Sequence, residues 1–172
     1  KRRSPKHRSR RERRPQSGMM LQIDGSRHDW LEGRGAYLTL VGAIDDATGE
    51  VAYCQFREQE DAQGYFLLLE GIAFKYGLPL SLYSDRHGIF SLNQKGTLSI
   101  AAELQGKEEL TQFGRALKEL EIEAILALPP QAKGRIERLW GTLQARLTSE
   151  LRLAGAKTLG EPNKVLKDFL PG

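Results

Sequence analysis

Cysteine occurs once, at Cys54, and that scarcity excludes an internal disulfide and any zinc site built on thiolates. Its setting in a strand-like run reads as a buried, inert thiol. Long apolar runs are absent too: none approaches the ~20 residues that span a bilayer, and the basic N-terminus is not followed by an apolar signal core. A soluble, intracellular protein is expected. Internal repeats are missing, and low complexity is confined to the first residues. With 40% hydrophobic residues, a chain of 172 suffices for one buried core and is short for two.

A net positive charge is missing from the body of the chain. Residues 1–17, KRRSPKHRSRRERRPQS, hold nine Lys or Arg and one Glu, a charge of +8. The whole chain carries +4, so the other 155 residues carry −4. A tail of this composition cannot bury enough apolar surface to fold alone, and its natural ligand is a polyanion. A solvated linker is the alternative. The chain opens on Lys1 without a methionine, which reads as a fragment whose upstream part the tail joined. The expected organisation is a basic tail over 1–17, a core over 18–155 and an appendage over 156–172.

Within the core, 19–24 (MMLQID), 36–45 (AYLTLVGAID) and 50–58 (EVAYCQFRE) read as three strands joined by short turns, an antiparallel meander. Residues 61–77 carry apolar positions at helical spacing and end at Gly77 ahead of Pro79. Residues 80–85 (LSLYSD) return as a buried strand, and 110–128 hold a helix and a short strand. A helix within ALPPQAKGRIERLWGTLQARLTSEL (127–151) closes a βββαβαβα order, an α/β fold. Its buried stripe is Ile136, Trp140, Leu143, Leu147 and Leu151.

A right-handed crossover sets the strand ending at Asp85 parallel to the one ending at Asp24, which brings two carboxylates to one sheet edge. Glu137, one turn into the last helix, completes a cluster of three acids. Ionised together they repel, which raises their pKa values or demands a cation, and oxygen-only ligands suit Mg²⁺ or Mn²⁺. Strand-end aspartates also serve turns, which is the reading for Asp45 and Asp46 in DDATG. Asp29 and His28 read as exposed loop residues. His87, two residues past Asp85, is a candidate metal neighbour or proton shuttle.

In order and spacing, MLQIDGS, GAIDDATGEV, YFLLLEGIAFKYGLP, LYSDRHGIF and PPQAKGRIERLWGTLQ resemble the catalytic cores of DDE transposases and retroviral-type integrases. The likeness covers about residues 19–150 and is nearest to bacterial insertion-sequence transposases of the integrase-like group. Its most specific piece is P-Q-x-x-G-x-x-E over 130–137. The interval from Asp85 to Glu137 is longer than that family's commonest, with the surplus around 91–108, and Arg86-His87-Gly88 stands where Asn-Gly is usual.

The resemblance implies an RNase H-like fold, a five-stranded mixed sheet with three antiparallel strands followed by parallel ones, flanked by helices. It implies a catalytic, metal-holding triad of Asp24, Asp85 and Glu137, with two Mg²⁺ or Mn²⁺ ions and Asp24 bridging them. The implied activity is cleavage and strand transfer at mobile-element ends. DNA and further copies of the chain are the implied partners, in a bacterial cytoplasm beside the nucleoid. Gln131 and Lys133 are implied to face DNA, with Arg135 and Arg138 as further contacts. A helical glycine costs about 1 kcal/mol relative to alanine, and bare backbone at Gly134 and Gly141 would let a phosphate approach. Two alternatives use the same residues: a nuclease that hydrolyses without joining, and a DNA-binding protein that has lost catalysis.

Overall fold

Strand β2 (Leu38–Asp45) is buried at every position, which is why LTLVGAID is almost continuously apolar instead of alternating. It pairs antiparallel with β1 (Leu21–His28) on one side and β3 (Val51–Arg57) on the other. Strands β4 (Ser81–Ser84) and β5 (Glu123–Leu126) extend the sheet in parallel, giving the order β3-β2-β1-β4-β5. This is the expected mixed five-stranded sheet. The computed structural model describes residues 12–84, 87–90, 110–126 and 134–170.

Five helices lie among the described residues: α1 (Ala62–Tyr76), α2 (His87–Phe90), α3 (Gln112–Glu119), α4 (Gly134–Leu153) and α5 (Gly160–Phe169). Helix α1 starts where the Asp61 carboxylate accepts the Gly64 N–H at 2.7 Å, and it stops at Gly77, whose φ of 88° suits a residue without a Cβ. None is long and apolar enough to cross a membrane.

The pleat of the sheet divides the core in two. Leu21, Ile23, Val41 and Ala43 meet Leu68 and Ile72 of α1 and Phe113 and Leu117 of α3. On the other face Leu40, Ile44 and Phe56 meet Ile136, Leu143 and Leu147 of α4 and Leu166 of α5. Each such side chain, fully buried, stabilises by about 1.5–3 kcal/mol before entropy is counted. The segment expected as an appendage thus supplies core residues. Its Asn163 accepts the Phe56 N–H at 2.8 Å and donates to the Phe56 carbonyl at 3.1 Å, so a side-chain amide pairs with the outer edge of β3.

Strand β1 runs four residues past Asp24, because its pairing with β2 continues to His28 opposite Leu38. Pairing with β4 covers only Leu21 and Gln22. Asp24 therefore lies mid-strand with respect to β2, and not at a strand end as the sequence suggests. On the β4 side it sits just beyond the last described pair.

Candidate active site

Alternation along β1 turns Leu21 and Ile23 towards α1 and leaves Gln22, Asp24 and Ser26 on the face that α4 covers. Each of these three polar side chains has a partner. Gln22 Nε2 donates to Asp46 Oδ1 at 2.8 Å, Trp140 Nε1 donates to Asp24 Oδ2 at 3.0 Å, and Gln144 Nε2 donates to Ser26 Oγ at 3.1 Å. Four residues of helix advance about 6 Å and two residues of strand about 6.6 Å. Trp140 and Gln144 therefore match Asp24 and Ser26, and α4 lies along β1 in a defined register.

Glu137 stands in the first turn of α4, exposed, three residues before the tryptophan that holds Asp24. A carboxylate there is favoured by the helix dipole by about 0.3–1 kcal/mol. Gly134 is the first described residue of α4, and Gly141 lies in its interior, where a glycine carries the helical cost. A Cβ added at Gly141 would meet nothing within 4 Å, and at Gly134 only Arg138 Nη1 at 3.8 Å. Arg138 is exposed. Asp85, Gln131 and Lys133 lie outside the described residues. So does the side chain of His87, whose backbone opens α2.

Arg135 has a different neighbour. Its guanidinium pairs with Asp46, whose side chain is fully buried. Asp46 also accepts the backbone N–H of Arg14 at 2.9 Å. Next to it, Asp45 accepts from Ser17 Oγ at 3.2 Å, Gly18 N at 2.7 Å, and Ala47 N and Thr48 N at 2.9 Å each. The two aspartates close the β2–β3 turn and also hold residues 14–18 against it. Removing one partner of such a buried pair costs far more than an exposed pair is worth, because the remaining charge stays buried.

Trp140 is the residue whose polar role the sequence hides. The helical stripe marks it as core, and it is 6% exposed, yet its indole N–H reaches a carboxylate. A mild signal exists: tryptophan, unlike leucine, carries a donor that must be satisfied when buried. Cys54 is buried on the same face, and burial pushes its thiol up to about 12, which keeps it protonated and inert.

Asp24 and Glu137 are hard oxygen donors of the kind that hold Mg²⁺ or Mn²⁺ with open positions. Asp24 and Glu137 are tied through one helix turn. Among the described residues no group of three His, Cys, Asp or Glu side chains is arranged to hold a metal ion, the third acid of the expected triad lying outside them.

No family model matches the chain. The y4bF protein of Sinorhizobium fredii, named as a transposase, is 42% identical over 158 residues, 92% of this chain and 33% of that protein. The transposase for insertion sequence IS1202 of Streptococcus pneumoniae is 35% identical over 154 residues, 90% of this chain and 32% of its own length. The chain thus spans about one third of the curated relatives it matches. Among solved structures, the HTLV-2 integrase catalytic core domain in complex with magnesium superposes with a TM-score of 0.60 at 17% identity, covering 87% of this chain and 82% of that one. By sequence the chain is similar to transposases over about one third of their length, and its fold, RNase H-like, is that of retroviral integrase catalytic cores.

Proposed function

We propose that this chain is the catalytic core of a DNA transposase, in which Asp24, Asp85 and Glu137 hold two Mg²⁺ or Mn²⁺ ions at the scissile phosphodiester. The observation that carries this reading is the Trp140–Asp24 hydrogen bond, because it ties the helix bearing Glu137 to the strand bearing Asp24. The likeness to transposases over nearly all of the chain supports it. Strand β4 runs parallel beside β1 and ends at Ser84, one residue before Asp85 in the chain.

Asp24, Asp85 and Glu137 are the residues that would hold the ions. Bound there, the cations would activate the attacking water or 3′-hydroxyl and stabilise the leaving oxygen. The protein's own part is to bind and orient. The positive end of α4 faces the phosphate, bare backbone at Gly134 and Gly141 admits it, and Gln131, Lys133 and Arg138 contact the DNA strands. Arg135, engaged with Asp46, positions the start of α4. Cleavage uses water, joining uses the freed 3′-hydroxyl, and no covalent protein intermediate forms. DNA and further copies of the chain are its partners.

The test combines a melting curve with a strand-transfer assay on a labelled DNA 3′-end. In the wild type, Mg²⁺ or Mn²⁺ stabilises the fold, by about 2.7 kcal/mol at a hundredfold excess over Kd. Asp24→Asn removes a charge while keeping shape, so the metal response shrinks and both reactions vanish. Asp45→Asn disturbs the β2–β3 turn, lowers the melting temperature and leaves the metal response intact. Hydrolysis without joining would make the chain a nuclease, and full activity in Asp24→Asn would sink the assignment.

A further inference from the structure

Trp140 lies across β1 and β2 along one row of the sheet. Asp24 of β1 is directly opposite Gly42 of β2, and Gly42 is directly opposite Cys54 of β3. A Cβ on Gly42 would sit 2.8 Å from Trp140 Cη2 and 2.5 Å from Cys54 Sγ. Any other residue at 42 would thus push the ring away. The benzo end of the indole rests over the bare backbone of Gly42, while its N–H end meets Asp24 Oδ2 at 3.0 Å. A tryptophan that served the core alone needs any acceptor for this donor. Here it takes the one carboxylate on which the proposed chemistry turns.

The choice of donor has consequences. An indole N–H only donates and carries no charge, so it orients the carboxylate without neutralising it. Lysine or arginine would orient Asp24 as well but would compete electrostatically with a divalent cation. The ring also sets how far α4 stands from β1, and Glu137 is three residues away on that helix. The Gln144–Ser26 hydrogen bond holds the same register one turn later.

Resting on the reading of Asp24 and Glu137 as metal-holding acids, we propose that Trp140 is a positioning residue of the site. Its indole N–H sets the orientation of the Asp24 carboxylate, and its ring, seated over Gly42, sets the placement of Glu137 beside it. Groups that orient metal ligands from behind are typically worth 10- to 100-fold in metal affinity or activity.

The experiment uses the whole chain, whose only tryptophans are Trp30 and Trp140. Two indole N–H resonances are therefore expected in a ¹⁵N–¹H spectrum, and Trp140→Phe identifies one by its loss. In the wild type, titration with Mg²⁺ should shift the Trp140 resonance saturably, well beyond any change at Trp30, whose N–H donates to the Ser26 carbonyl. Asp24→Asn should move that resonance in the absence of metal and abolish its response. Trp140→Phe keeps an aromatic ring over Gly42 and deletes the donor. Its Mn²⁺ affinity, read from the paramagnetic resonance of free Mn²⁺, should fall 10- to 100-fold, and strand transfer should fall with it. Wild-type Mn²⁺ affinity in Trp140→Phe, or an indole resonance indifferent to saturating Mg²⁺ in a chain that binds Mn²⁺, would overturn the role of Trp140 and leave the acids' assignment standing. A wild-type chain that binds no Mn²⁺ would overturn both.

Discussion

Two glycines, one on the sheet and one on the helix that covers it, respond to substitution in opposite directions, because one is crowded and the other is not. Gly42→Ala forces a methyl against Cys54 Sγ and the Trp140 ring, and overpacking of this kind costs about 1–3 kcal/mol. Gly141→Ala puts a methyl into open space on an exposed helical position and should stabilise by about 1 kcal/mol or less. If bare backbone at 141 serves phosphate approach, strand transfer should nevertheless fall in Gly141→Ala. Urea denaturation and the joining assay on the same two proteins check both statements. Retained joining alongside the raised stability would leave clearance without support.

At the scale of elements, α1 depends on Asp61. The carboxylate caps the Gly64 N–H and accepts from Arg57 Nη2 at 2.8 Å. Burial alone would raise its pKa, but the Arg57 and Gly64 hydrogen bonds outweigh it and hold the group below its ordinary value. A depressed folded pKa contributes stability above the unfolded value, and that contribution is lost as pH falls through the folded pKa. Asp61→Ala should therefore destabilise by about 0.5–2 kcal/mol at neutral pH, with the gap to wild type narrowing on acidification below about pH 4. Paired denaturation curves at neutral and acidic pH measure it. An equal gap at both would assign the effect to packing instead of to the charged cap. Helix α1 packs over β2 and β3, so this cap also steadies the strand that pairs with the one carrying Asp24.

Across the whole molecule, opposite charges are segregated: a basic leader precedes an acidic body. The body grips the end of the leader, since Asp45 and Asp46 bind the backbone of Gly18 and Arg14, and Arg13 Nη1 donates to the Ala47 carbonyl at 3.0 Å. A truncation of the tail should therefore keep Arg13 and Arg14. Residues 1–11 contain seven Lys or Arg and no acid. Deleting them should leave the melting temperature unchanged, weaken nonspecific DNA binding and flatten the log K against log salt slope by up to roughly 0.9 per lost phosphate contact. An unchanged slope would reduce those residues to a linker.

Much of this molecule is legible in its residues because local rules and the global fold agree. The continuous apolar run of β2, the alternation in β1 and β3, the Gly77 stop of α1 and the stripe from Ile136 to Leu151 each name an element and its buried side. They also bring Asp24 and Glu137 to one face of one sheet. What the sequence does not contain is the partner of each buried polar group. Helical periodicity says that Trp140 points inward but not that its N–H ends on Asp24, a contact across 116 residues. Charge counting marks Arg135 as a free cation, and only the fold gives it Asp46, 89 residues away, as a partner. Strand signals end β1 at Asp24, and only pairing with β2 carries it to His28. These choices were left to the tertiary structure for a physical reason. A hydrogen bond or ion pair is satisfied at the few ångströms set by packing, and packing distances between remote segments exist only once the sheet and its covering helices have assembled.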